Sequence, residues 1–189
     1  MQITHDIIKN LKPCANRYEN FVEHYPNFSG DSAAEFLSLD KITYEDKVWA
    51  MTRLITQNQN ILWGVKCAYS VLAIFEKDFP SDKRPRKLLA FMSKIKDLTN
   101  IPSENLVKLI KLRKNAHLAA SNIFITLPST CAVLSAICVA DRAILGDATL
   151  VSYATIHAAI ANAYSKRMTL YKAKKAQQDL NLKLLLEVL

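Results

Sequence analysis

Arg113 and His117 have the residue types and spacing in this chain that most resemble a catalytic pair. They stand four residues apart in a segment of helical periodicity. Residues at i and i+4 share a helix face, so a guanidinium and an imidazole placed there can contact the same phosphate. However, Ala116, Ala119 and Ala120 surround His117 in sequence, which is typical of a packed, hydrogen-bonded core histidine. We favour this structural role and expect no catalytic residues and no enzyme activity.

The same pair resembles the arginine and histidine motif of the helical HEPN ribonucleases. In that family a longer spacer separates the two residues than the three residues found between Arg113 and His117. The resemblance implies a helical ribonuclease whose arginine and histidine face the scissile phosphate. A nucleic-acid-binding or HEPN-like helical protein is therefore the alternative to a non-enzymatic function.

Histidines and cysteines are scattered along the chain. They are His5, His24, His117, His157, Cys14, Cys67, Cys131 and Cys138. No HExxH spacing and no paired CxxC occurs, so a metal site would have to be assembled from distant helices. Asp6 and Lys9 stand where a secretion signal needs an apolar run. We expect no metal, no cofactor and reduced thiols in a cytoplasmic protein.

A charged corner between two helical segments is the most specific motif of the sequence. Apolar residues recur at helical spacing up to Phe79, Pro80 ends that helix, and Pro85 suits the first turn of the next one. The charged residues of the corner are Glu76, Asp82, Lys83, Arg84 and Arg86. Because the two prolines restrict the backbone between them, one of the two acids should pair with one of the two arginines. The corner is then a structural lock between two helices.

This corner resembles the immunity proteins of bacterial polymorphic-toxin systems. In that all-helical family, an apolar helix ending in Phe-Glu runs through Pro-x-Asp-x-Arg-Pro-Arg into the next helix, as Phe75-Glu76 and residues 80–86 do here. Lys12-Pro13-Cys14 and Gln177-Gln178-Asp179-Leu180 are also similar. The resemblance implies a non-enzymatic protein that binds a toxin and occludes it. It implies a protein partner and no catalytic residues.

Positive charge is concentrated in two segments of a chain whose net charge is +8. Residues 81–115 carry ten basic and three acidic side chains, and residues 166–189 carry six and two. Such patches attract nucleic acid, anionic membranes or acidic proteins, and lysines also simply keep a helix face solvated. The candidate partner-binding residues are Lys83, Arg84, Arg86, Lys87, Lys94, Lys111, Arg113 and Lys114. Among them, Lys83 and Lys87 are expected to be the freer cations.

The fold class predicted is all-α, a multi-helix bundle with a small N-terminal helical module. Half of the residues are hydrophobic, and there are only three glycines and six prolines, which indicates a folded, helix-rich chain. We expect residues 1–40 to form the module and residues 41–189 to form the bundle. No β pattern and no internal repeat is evident.

Helix boundaries follow from capping residues and breakers. The predicted N-caps are Thr4, Thr43, Ser103 and Asp147. The helix that begins at Ser103 should reach about Thr126 before Pro128. The last helical stretch is long for a globular domain, so a break is expected near Ser165 or Asp179.

An uncharged segment, Leu118 to Ala140, has 23 residues and is long enough to cross a bilayer. Its serines, threonines and alanines make insertion weakly favourable at best. We favour two central bundle helices instead, and we expect no membrane partner. Two stripes of small residues support this reading: Ala132, Ala136, Ala140 and Ala143 on one face, and Ala154, Ala158 and Ala161 on another.

The distribution of aromatic residues predicts the type of partner. Phe91 is the only aromatic residue in 81–115, whereas proteins that bind single strands use aromatic rings on which bases stack. We therefore expect only weak binding of mixed nucleic acids at about 150 mM salt, because phosphate contacts alone weaken steeply with salt. Fluorescence anisotropy over a salt series measures this. Tight binding retained at that salt, with a steep salt slope, would favour the nucleic-acid alternative.

Overall fold

The computed structural model describes residues 1–121, 127–147, 149–165 and 170–189. Those residues form ten helices and one pair of two-residue strands, which confirms the predicted all-α multi-helix architecture. The chain divides into two units, Met1–Ile55 and Thr56–Leu189. The division therefore lies after Ile55, whereas the sequence suggests it after residue 40.

The first unit contains four helices and a short antiparallel strand pair. Its elements are β1 (Ile3–Thr4), α1 (His5–Asn10), α2 (Ala15–His24), β2 (Ser29–Gly30), α3 (Ala33–Ser38) and α4 (Tyr44–Leu54). The strand pair joins Ile3 to Gly30 and is the one departure from the purely helical expectation in this unit. As predicted, Thr4 caps α1, accepting a hydrogen bond from Ile7 N at 3.3 Å.

Phe21 lies at the centre of this unit. Its ring centroid is 4.6 Å from that of His5, 5.7 Å from that of Phe28 and 6.2 Å from that of Phe36. The helix α4 also belongs here, because Arg17 on α2 donates to Asp46 on α4 at 3.3 Å. This packing explains why the unit extends beyond residue 40.

The second unit is a bundle of six described helices. They are α5 (Gln57–Asp78), α6 (Arg84–Met92), α7 (Ser103–Ser121), α8 (Leu127–Leu145), α9 (Thr149–Ser165) and α10 (Leu170–Leu186). Ser103 is the first residue of α7 rather than its N-cap. Of the two positions expected for a break, α9 ends at Ser165, whereas α10 runs through Asp179. The expected end of α7 at Thr126 lies outside the described residues.

The helix α8 is central to the second unit and packs against α5, α6, α7 and α9. Both predicted alanine stripes face the interior: Ala132, Ala136, Ala140, Ala154, Ala158 and Ala161 are all fully buried, and Ala143 is half-buried. At Gly64 on α5, an added Cβ would lie 2.8 Å from Cγ2 of Val139, so α5 and α8 are in close backbone contact.

Among the described helices, α8 alone is long and apolar enough to span a bilayer. Its most apolar window has a mean hydropathy of 1.4, and 56% of that window is buried inside the protein. Core helices of bundles share this composition and this burial.

A buried hydrogen-bonded network, here called the polar seam, joins α5, α9 and α10. Trp63 Nε1 donates to the Asn181 carbonyl at 2.7 Å, and Asn181 Nδ2 donates to the Thr155 carbonyl at 3.0 Å. Gln177 Nε2 donates to Asn181 Oδ1 at 2.9 Å and to Ser70 Oγ at 2.8 Å. Sequence patterns did not reveal this network, because its members are up to 118 positions apart.

The polar seam predicts coupled stability effects. Asn181→Ala and Gln177→Ala should each lower the free energy of unfolding by about 1–3 kcal/mol, because each leaves buried polar groups without a partner. The double variant should lose less than the sum of the two, since both changes break the same hydrogen bond. Urea unfolding measures all three losses, with Lys172→Ala on the exposed face of α10 as the control. Strictly additive losses would contradict the network.

Candidate functional site

The charged corner lies between α5 and α6, and both of its arginines are paired. Arg86 donates from Nε and Nη2 to the Glu76 carboxylate at 2.6 and 2.5 Å. Arg84 donates from Nε to Asp82 Oδ1 at 2.9 Å and from Nη2 to Oδ2 at 2.6 Å. The pairing expected from the sequence is therefore confirmed for both acids, and each pair is bidentate.

The electrostatics of the corner follow from these pairs. The hydrogen bonds from Arg86 hold the pKa of Glu76 below its ordinary value, and those from Arg84 do the same for the pKa of Asp82. Lys83 Nζ also lies 3.3 Å from Glu76 Oε1. Lys83 is thus not one of the freer cations, contrary to expectation, because the half-buried Glu76 accepts from it as well.

Pro85 is buried in the first turn of α6, where its missing N–H costs no helical hydrogen bond. The backbone N–H of Arg84, the residue before it, donates to Asp82 Oδ1 at 3.0 Å. The start of α6 is therefore held by its backbone, by the proline ring and by two ion pairs. Such an arrangement orients α6 relative to α5.

Arg113 ties α7 to α8. Its Nε and Nη2 donate to Asp141 Oδ1 and Oδ2 at 2.7 and 3.0 Å, and this carboxylate raises the pKa of Arg113. His117 is exposed one turn further along α7, so the expectation that it is a packed core histidine is wrong. Because the Arg113 guanidinium is bound to a carboxylate, this geometry favours a structural role over contact with a phosphate or a partner.

An open groove with lysines on both walls lies between α6 and α7. This lysine groove is lined by Lys87, Ala90, Phe91, Lys94, Ile95, Asn105, Lys108 and Leu112. Its volume is about 470 Å³, within the range of roughly 300–1,000 Å³ that ligand sites span. Its lining combines three ammonium groups with apolar side chains and includes no carboxylate.

The three acidic residues of the segment 81–115 have other partners or positions. Asp82 binds Arg84, while Asp97 Oδ1 accepts from the backbone N and the hydroxyl of Thr99 at 2.8 and 2.6 Å. Glu104 stands in the first turn of α7, where a negative charge suits the helix dipole. None of the three lines the lysine groove, although Glu104 stands four residues before Lys108 on the same helix.

Lys108 holds a defined position in the lysine groove. Its Nζ lies 4.9 Å from the centroid of the Phe91 ring, a cation–π contact that orients the ammonium group. The contact also covers one face of the only aromatic ring in residues 81–115. A base therefore has less ring surface on which to stack.

Two of the eight predicted partner-binding residues, Lys87 and Lys94, line the lysine groove. Lys111 and Lys114 are exposed on α7 outside it. Lys83, Arg84, Arg86 and Arg113 are instead in ion pairs within the chain. Lys108 is not among the partner-binding residues predicted from the sequence. Its spacing from Asn105 and Leu112, at i−3 and i+4, nevertheless places these three residues on one helix face.

Other chemically capable groups lie apart from this groove. Within the described ranges, no group of three or more His, Cys, Asp or Glu side chains is placed to hold a metal ion. Burial raises the pKa of the Cys138 thiol to about 11 and lowers the pKa of His157. These shifts keep both groups uncharged at neutral pH, as suits residues packed in a bundle.

Comparisons with known proteins gave no match: no family model matches the chain, and no curated protein or solved structure shows significant similarity to it. The likeness of the corner to immunity proteins therefore stays a prediction from its residues. The geometry of the lysine groove is the basis for the functional conclusion.

The corner predicts a modest, pH-dependent coupling. In a double-mutant cycle, Glu76→Gln and Arg86→Ala should be coupled by about 0.5–1 kcal/mol, because Arg86 is about half exposed and solvent screens the pair. Glu76 has a lowered pKa in the folded state, so the stabilisation is present above its ordinary pKa of 4.5 and is lost as pH falls through the lowered value.

Thermal unfolding at pH 7 and at pH 3 measures this coupling. Lys87→Ala is the matched control, because Lys87 is exposed and forms no ion pair within the part of the chain that the structure describes. It should change stability by less than about 0.5 kcal/mol. Additive effects of the two corner substitutions at pH 7 would contradict a lock between α5 and α6.

Proposed function

We propose that this chain is a non-enzymatic binding protein that neutralises a protein partner by docking on it and occluding its working surface. One observation carries the proposal: the lysine groove presents Lys87, Lys94 and Lys108 with no carboxylate in its lining. Positive charge beside exposed apolar surface favours a partner that is acidic and partly apolar. The proposed partner surface is therefore acidic.

The composition of the groove supports a protein partner over a nucleic acid. Ala90, Phe91, Ile95 and Leu112 supply apolar surface between the lysines, and protein interfaces typically combine an apolar centre with a charged rim. Single-stranded nucleic acid needs open aromatic faces, whereas Lys108 lies over the Phe91 ring. The arginines suited to bidentate phosphate contacts are already paired with acids.

The mechanism proposed is surface complementarity without chemistry. Exposed lysines raise the encounter rate with an acidic partner, and apolar contacts at the centre of the interface slow its release. The resemblance of the corner to immunity proteins adds a candidate identity for the partner, a toxin encoded beside this chain and met in the cytoplasm. Neither step requires a cofactor.

A charge-reversal experiment tests this proposal. The groove variant carries Lys87→Glu, Lys94→Glu and Lys108→Glu. The control variant changes the net charge equally at exposed lysines outside the groove and carries Lys9→Glu, Lys77→Glu and Lys172→Glu. Each is expressed with the protein encoded beside this chain, and host growth and co-purification are measured.

The wild type and the control variant should relieve growth arrest and co-purify with the neighbour, while the groove variant should lose at least about tenfold in affinity because like charges then face each other. Thermal unfolding confirms that the variants are folded. Equal relief by the groove variant would contradict the proposed surface. A neighbour that causes no arrest, or an arrest unchanged by the wild type, would contradict the neutralising role.

A further inference from the structure

We infer that the lysine groove accepts an acidic amphipathic helix of the partner, with its apolar stripe between α6 and α7 and its carboxylates on the lysines of both walls. This inference rests on the proposed function and specifies the form of the partner. It commits to one occupant, a helical protein segment that is acidic on both flanks of an apolar stripe. The positive charge of the groove, which is complementary to such a segment, and the dimensions of the groove support this inference.

The walls of the groove are themselves helices, which determines the shape of what fits between them. The helix α6 has nine residues, or about 13 Å at 1.5 Å per residue. A partner helix lying along it has room for two to three turns. Recognition of this kind uses apolar anchors at i, i+3 or i+4, and i+7 of the bound helix.

The apolar residues of the groove form its floor. Ala90, Phe91 and Ile95 come from α6 and the turn after it, and Leu112 comes from α7. All four are half-buried, so each keeps part of its side chain accessible. The small Ala90 beside the larger Phe91 and Leu112 leaves space for an inserted apolar side chain from the partner.

The lysines are arranged on both sides of this floor. Lys87 and Lys94 are seven residues apart on the α6 side, and Lys108 projects from α7 on the other. Lys87 lies on α6 and Lys94 lies in the turn that follows it, so two ammonium groups are available to carboxylates on one flank of a bound helix. Lys108 matches a carboxylate on the opposite flank of the same stripe.

The outer face of α7 also carries lysines and exposed apolar side chains. Val107, Lys111, Lys114 and Leu118 recur at spacings of four, three and four, and all are exposed. The side chain of Val107 is 69% exposed. Two lysines between two aliphatic residues give this second face of α7 the same combination of charge and apolar surface as the groove.

Like charges disfavour a second copy of the chain in this groove, because the same face of each copy would bring lysines together. Flexible polyanions, including single-stranded DNA, can form ion pairs with the lysines, but they leave the apolar floor of the groove exposed to water. Only a segment that is both acidic and apolar on defined faces satisfies both parts of the groove. The test therefore compares probes that carry one property or both.

The experiment measures binding of fluorescein-labelled 14-residue peptides by anisotropy at about 150 mM salt, where exposed charges are screened beyond about 8 Å. The first peptide has leucines at i, i+3, i+7 and i+10 and glutamates flanking them. The second has the same composition with the leucines spread around the helix. The third replaces glutamate with glutamine, the fourth is poly-glutamate, and a 14-nucleotide single strand is the fifth probe.

We expect the amphipathic acidic peptide to bind at least about tenfold more tightly than each of the other probes, because only it gains both apolar burial and ion pairing. The groove variant should lose this binding and the control variant should keep it. Circular dichroism should show the bound peptide becoming helical. Sedimentation should show the chain itself to be monomeric over the concentrations used.

Equal binding of the scrambled peptide or of poly-glutamate would overturn the inference, since charge alone would then explain the affinity. Tighter binding of the single-stranded DNA, or self-association that the groove variant abolishes, would replace the proposed occupant with another. If no peptide binds while the groove variant still loses neutralisation of the neighbour, the helical form of the partner is wrong and the proposed function stands. The two failures are thus distinguishable.

Discussion

The arrangement of α5, α9 and α10 in the second unit depends on the hydrogen bonds of the polar seam. Trp63 and Asn181 are 118 positions apart, yet the indole N–H of one donates to the buried carbonyl of the other at 2.7 Å. A buried donor left without an acceptor costs about 1–3 kcal/mol, so α10 has one favourable register against α5. The alanine stripes on α8 and α9 let these helices pack closely, but small apolar side chains do not fix one helix register. Directed hydrogen bonds do fix the register.

The lysine groove lies outside this seam, and its two walls are held by a different device. A bidentate pair joins α6 to α5 through Arg86 and Glu76, and a second joins α7 to α8 through Arg113 and Asp141. Each wall of the groove is thus tied to a core helix by an arginine and a carboxylate. The guanidinium suits this task because its planar fork fixes orientation as well as distance. In this segment Arg86 and Arg113 position the walls, and the lysines of the groove remain open to solvent.

Sequence reasoning succeeded where the determinant was local. The pairing at the corner followed from Glu76, Asp82, two arginines and two prolines within eleven residues, 76–86, and the alanine stripes followed from helical periodicity. Sequence reasoning missed features that depend on contacts between residues far apart in the chain. Lys108 belongs to the groove only because α7 packs beside α6, and the contact of α4 with the first unit includes the pair Arg17 and Asp46, which are 29 positions apart. No spacing within a single helix encodes these contacts.

The exposure of the lysines limits what they contribute to binding. An exposed ion pair contributes at most about 1 kcal/mol, so three lysines supply no more than about 3 kcal/mol, whereas micromolar affinity requires about 8 kcal/mol. The remainder, together with the free-energy cost of association, has to come from the burial of apolar surface. Ala90, Phe91, Ile95 and Leu112 are the groove residues that offer such surface. For the proposed acidic partner, we therefore expect charge to set selectivity and the rate of association, and the apolar floor to set the rate of release.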